Sequence, residues 1–281
     1  MKRIGIVAKR GEPEAVKAVR DFVRRLKDRD FRFYVEKEAA SILRIKGYPR
    51  EDIPGKSDII IVFGGDGTIL SVARLVGSLG VPILGVNLGG LGFITEISKE
   101  EVGREIGKVF SGKCGFEERI MLLADVYRGR GRIIQHNALN DVVLNKSALS
   151  RMFELDIRVN GRFVSTFRAD GLIVSTPTGS TAHSLSAGGP ILYPTLESFL
   201  MTPICPHTLT SRPIVMPDTF ILEATIKKGE DIYLTLDGQV GFPLKVNDRI
   251  KIRKADYKTR FIVLHDRDYF QILRTKLKWG E

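Results

Sequence analysis

The chain has 281 residues, of which 43% are hydrophobic and 27% are charged, a balance typical of a globular protein with one large or two ordinary domains. No apolar stretch approaches the ~18 residues that a membrane span needs. The net charge of +11 is spread among acidic residues rather than gathered in a basic block. Composition therefore predicts small anionic partners such as nucleotides or polyphosphates, and it argues against a nucleic-acid-binding or membrane protein.

The N-terminal residues and the two cysteines predict a cytoplasmic location. The chain enters a predicted strand at once, without the layout of a signal peptide. Cys114 and Cys205 lack the spacing of metal ligands, so neither a zinc site nor a structural disulfide is expected.

The first part of the chain alternates strands and helices. Pro13 suits the first turn of a helix, and Ser98 with Glu101 resembles a capping box that opens another. The predicted elements are strands at 3–8, 31–35, 58–63 and 81–86, and helices at 12–29, from 68 onward, and from 98 to about 110. This alternation predicts a parallel sheet with helices on both faces.

A glycine-flanked acid directly follows the third predicted strand: Gly64, Gly65, Asp66, Gly67 and Thr68. A strand-to-helix turn points backbone N–H groups at one spot, which suits a phosphate. The three glycines are expected to admit a ligand close to the backbone and to take positive φ angles. Because a carboxylate repels phosphate, Asp66 is expected to accept a proton or hold a metal ion. The alternative is a tight turn that uses Asp and Gly for geometry.

The second part of the chain is predicted to be mainly β. Residues 153–159 alternate apolar and charged side chains, and Asn160-Gly161 then forms a two-residue hairpin turn. The predicted strands are 120–127, 133–144, 153–159, 162–167, 171–175, 220–226, 231–236 and 249–253. This pattern predicts a β-sandwich, followed by a helix at 269–278 that packs back on the first half.

Two common nucleotide-binding motifs fail in this chain. Leu70 stands where the third glycine of a Rossmann fingerprint belongs, and Arg50 stands where a Walker A loop begins with glycine. Nucleotide chemistry here must use another cradle.

Residues 170–190 run from a strand into a glycine-rich turn dense in serine and threonine, with room for a flat ligand and many hydrogen-bond donors. The alternative is a polar loop with no special role. Asn140-Asp141 and Asp237-Gly238-Gln239 are ambiguous in the same way, since both suit simple turns.

Taken together and in this order, these segments resemble the NAD kinase family over residues 58–239. The Gly64–Thr68 string is shared with lipid kinases and phosphofructokinases, whereas residues 178–190 are much more specific. The resemblance implies phosphorylation of the adenosine ribose 2′-hydroxyl of NAD, giving NADP. ATP or polyphosphate would donate the phosphoryl group, with a divalent metal, Mg²⁺, arriving with the nucleotide.

The family fold implied is an N-terminal Rossmann-like α/β domain with a C-terminal β-sandwich domain, assembled as homodimers or homotetramers. For this chain the expected division is an α/β domain at 1–115, with 266–281 packing back on it, and an NAD-binding β domain at 116–265.

The resemblance also implies residue roles by position match. Asp66 would be the catalytic acid–base residue. Binding roles fall to Gly64, Gly65, Gly67, Thr68, Asn140, Asp141, Arg151, Arg168, Asp170, Thr181, Ala182, His183, Ser184, Leu185, Ser186 and Gln239. No compact carboxylate cluster marks a metal site built by the protein itself.

Two residues depart from the family pattern: His183 stands where Tyr is common, and Asp141 stands where Glu is frequent. Two rival hypotheses remain. A lipid kinase sharing the glycine–aspartate string predicts an apolar acceptor cleft and membrane association, and a non-catalytic NAD sensor predicts binding without turnover.

Overall fold

The computed structural model describes residues 2–27, 29–90, 92–208, 210–264 and 268–280. It divides the chain into two compact units, Met1–Glu118 with Thr259–Glu281, and Arg119–Lys258. Some predictions touch residues outside the described set: Asp28 falls in the predicted helix 12–29, residue 265 ends the predicted β domain, and residues 266, 267 and 281 fall in the predicted C-terminal segment.

The strands, in chain order, are β1 (Lys2–Ala8), β2 (Phe31–Glu36), β3 (Gly47–Tyr48), β4 (Ile59–Phe63), β5 (Ile83–Asn87), β6 (Ile97–Ser98), β7 (Gly115–Arg128), β8 (Gly131–Ala138), β9 (Asp141–Lys146), β10 (Phe153–Val159), β11 (Arg162–Ala169), β12 (Gly171–Ser175), β13 (Ser198–Ile204), β14 (Ile214–Pro217), β15 (Leu222–Lys228), β16 (Ile232–Leu236), β17 (Val240–Leu244) and β18 (Arg249–Val263). The α-helices are α1 (Pro13–Arg25), α2 (Lys37–Leu43), α3 (Ile53–Lys56), α4 (Asp66–Val76), α5 (Val102–Phe110), α6 (His183–Ser186) and α7 (Tyr269–Leu277).

The first unit contains a parallel sheet with the strand order β3-β2-β1-β4-β5. Successive strands are added on opposite sides of β1, so the order reverses between β1 and β4. The last residues of these two strands, Ala8 and Phe63, are paired in register. In open α/β sheets the carboxyl ends of the strands at such a switch point form the usual ligand site.

Helix α1 packs on the sheet through one apolar face, and it is shorter than the sequence predicted. Its buried residues Ala15, Val19 and Phe22 recur at helical spacing and pack on the sheet core. The predicted helix 12–29 begins one residue later, at Pro13, and ends four residues earlier, at Arg25. The Leu26 N–H bonds the Val23 carbonyl in a tighter turn, because the chain must reverse to enter β2.

Helix α5 also begins later than predicted, at Val102 rather than after Ser98. The Glu101 carboxylate accepts hydrogen bonds from the Ser98 N–H at 2.9 Å and from its hydroxyl at 2.7 Å. Only half of a capping box therefore forms, and it closes the turn that leads into the helix.

The second unit is a sandwich of two antiparallel arrays. One contains β10, β11, β15 and β18, with β7 beside β18 and β8 beside β7. The other has the order β14-β13-β12-β9-β16-β17. Alternate residues of both arrays, such as Leu155 and Ile157 on β10 and Leu172 and Val174 on β12, fill one shared core. The predicted fold class, an α/β part followed by a β-sandwich, is confirmed.

One strand prediction in this unit was wrong in an informative way. Residues 133–144 form two strands, β8 and β9, that belong to different arrays, with Leu139 and Asn140 joining them. Apolar residues occur on both sides of the break, but the backbone turns because its N–H groups bond to the Asp237 carboxylate.

Candidate active site

The glycine–aspartate turn lies at the carboxyl end of β4, at the switch point of the parallel sheet. The Gly64 N–H bonds the Val86 carbonyl at 3.0 Å, and the Lys9 N–H bonds the Phe63 carbonyl at 2.8 Å, so three strand ends meet here. Helix α4 begins at Asp66, two residues earlier than predicted, with Gly65 as its N-cap. The helix N-terminus therefore faces the edge of the sheet where ligands bind in this architecture.

Asp66 is held in the first turn of α4 by backbone donors from the loop after β5. Its Oδ2 accepts the Phe93 N–H at 2.9 Å and its Oδ1 accepts the Ile94 N–H at 3.1 Å. The absence of a side chain at Gly92 allows this contact, because a Cβ there would overlap the Asp66 carboxylate. The side chain stays partly exposed. A fixed, partly open carboxylate at a helix N-terminus can accept a proton from a bound hydroxyl group.

The three glycines of this turn do not have the positive φ angles predicted for them. Gly65 is extended, at φ −93° and ψ −173°, and the chain enters the helix without a left-handed residue. Gly64 is needed for space: a Cβ there would lie 2.6 Å from the Thr68 hydroxyl oxygen. A Cβ on Gly65 would meet nothing within 4 Å, so that residue leaves open room at the helix end.

A cavity of about 320 Å³ lies in the second unit. It brings together four residues that the sequence predicted for binding, Asn140, Asp141, Ala182 and His183. The other lining residues are Val143, Asn145, Thr235, Asp237 and Gly238.

Asp141 is the most perturbed acid of this cavity. It is only 4% exposed, and burial, followed by the neighbouring negative charge of Asp237, raises the pKa of its carboxyl to about 7. Burial disfavours the charged form because a carboxylate loses its hydration, and a second acid adds repulsion. Near neutral pH this side chain can therefore either donate or accept a hydrogen bond.

Asn140 presents a buried acceptor at the same place. Its side-chain oxygen Oδ1 has no hydrogen-bond partner among the residues that the structure describes. A buried polar atom left unpaired is costly, so a native structure that keeps one calls for an explanation. Asn140 itself is one of the residues that line the adjoining cavity.

The segment 181–186 does not line the cavity uniformly. Residues 178–181 form a 3₁₀ turn and α6 follows, so the predicted loop is largely helical. Ala182 and His183 reach the cavity, whereas Ser184 is fully buried and its hydroxyl lies 2.8 Å from that of Thr202. Thr181, Leu185 and Ser186 are outside the lining described for this cavity.

Four other predicted binding residues also lie outside that lining. Arg151 and Arg168 are exposed, and Gln239 is exposed just beyond a hairpin turn. Asp170 is half-buried and forms an ion pair with Lys146 at 3.7 Å. Polar side chains of this kind, partly or fully exposed, can still contact a ligand larger than the cavity.

Asp237 is a residue of this region for which the sequence suggested no role beyond a hairpin turn. Its φ of 50° and the φ of 64° at Gly238 confirm the hairpin that Asp-Gly predicted, between β16 and β17. Its carboxylate also accepts three backbone N–H groups from residues 139–141. That second role depends on a contact across about a hundred residues, and no local signal in the sequence marks it.

Within the described ranges, no group of three or more His, Cys, Asp or Glu side chains could hold a metal ion. Within the same ranges, no helix is long and apolar enough to cross a membrane.

Comparisons with known proteins match both units. Residues 4–114 match the model of the ATP-NAD kinase N-terminal domain, and residues 139–264 match that of the ATP-NAD kinase C-terminal domain. Among similar curated proteins are the NAD kinases of Geotalea daltonii and Geobacter metallireducens. Each is 48% identical to this chain, and each alignment covers 100% of both partners.

Two solved structures are similar over nearly the whole chain. Yeast NADH kinase complexed with NADH matches with a TM-score of 0.94 and 27% identity, covering 100% of this chain and 89% of the yeast one. An NAD kinase from Archaeoglobus fulgidus in complex with ATP matches with a TM-score of 0.76 and 26% identity, covering 98% of each chain.

Proposed function

This chain belongs to the NAD kinase family, and from that premise we propose how its residues divide the work of the reaction. The function is phosphoryl transfer to the 2′-hydroxyl of the adenosine ribose of NAD, giving NADP. The lipid-kinase and NAD-sensor alternatives are not favoured, since the curated relatives that cover the full chain are NAD kinases.

We assign the acid–base role to Asp66. A ribose hydroxyl is a poor nucleophile at neutral pH, and a carboxylate within hydrogen-bond reach orients it and accepts its proton as the oxygen attacks phosphorus. The 2′-oxygen–phosphorus bond forms, the bond from phosphorus to the bridging oxygen of the donor breaks, and the shortened donor leaves. The observation that carries this proposal is the anchoring of Asp66 by the Phe93 and Ile94 N–H groups at a partly exposed helix N-terminus.

We assign the phosphates of the donor to the turn formed by Gly64, Gly65, Gly67 and Thr68. Its place at the switch point of the parallel sheet and the dipole of α4 both favour negative charge there. Phosphoryl transfer relies mainly on such positioning and charge neutralisation. The open space at Gly65 allows close approach of a phosphate to the backbone.

ATP is the first donor to test, because the similar Archaeoglobus fulgidus enzyme was solved with ATP. Polyphosphate is the second. Mg²⁺ carried in with the donor would neutralise the negative charge that develops during phosphoryl transfer.

We assign the dinucleotide to the second unit. The cavity is lined by four residues matched to the family, Asn140, Asp141, Ala182 and His183. The unpaired side-chain oxygen of Asn140 and the Asp141 carboxyl, whose pKa is about 7, suit the hydroxyl and amide groups of NAD. The other residues matched to the family would contact parts of NAD beyond the cavity, namely Arg151, Arg168, Asp170, Thr181, Leu185, Ser186 and Gln239. Ser184 is fully buried against Thr202, so it would support the turn from inside and not touch the dinucleotide.

The test is an assay of NADP formation. The purified chain is incubated with NAD, Mg²⁺ and either ATP or polyphosphate, and NADP is read with an NADP-specific dehydrogenase. We expect NADP with at least one donor and its loss in Asp66→Asn. NADP formation at the full rate in Asp66→Asn would refute the assignment of Asp66 as the general base. Comparing the rates of the parent protein with ATP and with polyphosphate shows which donor it prefers.

Three broader assignments complete the proposal. The α/β domain comprises 1–115 with 266–281, and the NAD-binding domain comprises 116–265. The protein works in the cytoplasm as a homodimer or homotetramer, without nucleic acid or membrane. Light scattering on the purified chain gives the subunit number directly.

A further inference from the structure

The Asp237 hairpin is tied to a distant segment of the second unit. Asp237 is 7% exposed, and its Oδ1 accepts the Asn140 N–H at 2.7 Å and the Asp141 N–H at 3.2 Å. Its Oδ2 accepts the Leu139 N–H at 3.2 Å, and its own N–H bonds the Asp141 carbonyl at 3.0 Å. One side chain thus satisfies three successive backbone donors at the link between β8 and β9.

The opposite side of the same link is fixed by β12 and the turn after it. The Asn140 carbonyl accepts the Thr176 N–H at 2.9 Å and the Ser175 hydroxyl at 3.1 Å. The Leu139 carbonyl accepts the Thr176 hydroxyl at 2.6 Å. Gly179 packs so closely on Asn140 that a Cβ there would overlap its backbone. The peptide groups of the link are therefore held from both sides.

Because the backbone of residues 139–141 is held from both sides, only the side chains of Asn140 and Asp141 remain to contact a ligand in the cavity. Asn140 and Asp141 line it, and the Asn140 Oδ1 is buried without a hydrogen-bond partner among the described residues. A link free to move would rotate these groups away from any ligand or pair them with each other.

We propose that Asp237 is a positioning residue for NAD: it fixes the backbone of residues 139–141 so that the Asn140 and Asp141 side chains meet the dinucleotide in one orientation. This inference rests on the proposed NAD-binding role of those two residues. Asp237 acts through its neighbours, since its own oxygens are used by the three backbone donors.

The charge of Asp237 should affect the titration of Asp141, an effect that a purely structural role in packing would not have. The titratable groups lining the cavity within the described residues are Asp141, Asp237 and His183. Burial is the first cause of the raised Asp141 pKa and the Asp237 charge is the second. Replacing Asp237 by Asn keeps the size and the hairpin but removes that charge, so it should ease ionisation of Asp141.

The test compares Asp237→Asn with a matched hairpin variant, Asn160→Ala. Asn160 also has a positive φ, 49°, is followed by Gly161, and accepts a backbone N–H, from Ile221 at 2.9 Å. It lies outside the lining of the cavity. Titration calorimetry with NAD and steady-state kinetics with NAD varied give the Kd, KM and kcat of each.

We expect Asp237→Asn to raise the Kd and KM for NAD at least ~10-fold, because buried donors lose a charged acceptor, with kcat at saturation within about threefold of the parent. Asn160→Ala should leave both constants unchanged even if it lowers the melting temperature. In a His183→Gln background, the pH dependence of the NAD Kd should inflect near 7, and Asp237→Asn should move that inflection to lower pH.

An unchanged Kd and an unmoved inflection in a folded Asp237→Asn protein would overturn the proposal. Asn140→Ala and Asp141→Asn separate this failure from that of the NAD site itself. If these two variants weaken NAD binding and Asp237→Asn does not, only the positioning role is wrong. If none of the three weakens it, the assignment of NAD to this cavity is wrong.

Discussion

Asp66 in the first unit and Asp237 in the second use the same local device for different ends. Each stands beside glycine, and each carboxylate accepts successive backbone N–H groups from a remote loop. Asp66 anchors residues 93–94 and stays partly exposed, whereas Asp237 anchors 139–141 and is 7% exposed. Exposure therefore separates an acid that is open to a substrate from one whose oxygens are taken up by backbone donors.

The largest expected effect separates the two acids by chemistry. Asp66→Asn keeps the side-chain shape but removes the proton acceptor, and we expect kcat to fall by about 10²–10⁴-fold. NAD affinity should change little, because the Asn side chain has the same size and can still hydrogen-bond the ribose hydroxyl. Steady-state kinetics with circular dichroism as a folding control measures both quantities. Residual activity above a tenth of the parent would argue against a base at this position.

The next effect concerns the pH dependence of stability at Asp141, in the cavity of the second unit. Because the folded-state pKa of Asp141 is raised to about 7 from 3.8, the folded protein binds more protons than the unfolded chain between these values. Its ionisation then costs stability as pH rises through that window, by up to about 4 kcal/mol above pH 7 and by nothing below pH 3.8. Urea unfolding of Asp141→Asn should show the greatest gain over the parent at pH 8. An equal difference at pH 4.5 and pH 8 would contradict this linkage.

A matched pair of glycine substitutions tests whether close packing sustains each region. A Cβ at Gly92 would overlap the Asp66 carboxylate, and one at Gly179 would overlap the backbone of Asn140. We expect each alanine variant to lose about 1–3 kcal/mol of stability. Gly92→Ala should lower kcat, whereas Gly179→Ala should raise the KM for NAD.

Controls for this pair come from glycines with open surroundings. A Cβ at Gly89 would meet nothing within 4 Å, and one at Gly241 would come no nearer than 3.9 Å to the Leu234 carbonyl oxygen. Chemical denaturation and kinetics of all four alanine variants complete the test. If the control variants lose as much as the others, close packing is not what sustains the two regions.

The smallest effect comes from a third carboxylate that also accepts a backbone N–H. Asp58 bonds the Arg3 N–H at 2.8 Å, and the Arg3 guanidinium and N–H together lower the pKa of its carboxyl. Its contribution is present at neutral pH and fades as pH falls below the ordinary Asp pKa. The side chain is 43% exposed, so solvent screening limits the loss in Asp58→Asn to less than about 1 kcal/mol. If urea unfolding shows a loss of stability as large as that of Gly179→Ala, then exposure does not determine how much each of these carboxylates contributes to stability.

Local patterns in the sequence predicted the parts of this fold that are set locally. The buried run before Gly64 predicted a strand and the following turn a helix, and both exist as β4 and α4. Asn160-Gly161 fixed the hairpin of β10 and β11, because both of its residues take positive φ. The order of strands and helices was enough to predict a parallel α/β part followed by a sandwich.

Features that depend on long-range contacts were missed. The split of residues 133–144 into β8 and β9 arises from bonds to Asp237, about a hundred positions away. The left-handed turn expected at the glycines before α4 does not occur, because the N-cap is extended and one glycine is needed for the Thr68 side chain. Position matching grouped residues 181–186, but the short helix there turns Ser184 inward while His183 faces the cavity.

The most direct test of whether the two acids have different roles is a side-by-side kinetic comparison of Asp66→Asn and Asp237→Asn. The NAD concentration is varied at saturating ATP and Mg²⁺. We predict that Asp66→Asn loses at least ~10²-fold in kcat with an NAD KM near that of the parent. We predict that Asp237→Asn raises that KM at least ~10-fold and keeps kcat within about threefold. The account would be contradicted if Asp66→Asn failed by losing NAD, or if Asp237→Asn lost kcat at an unchanged KM.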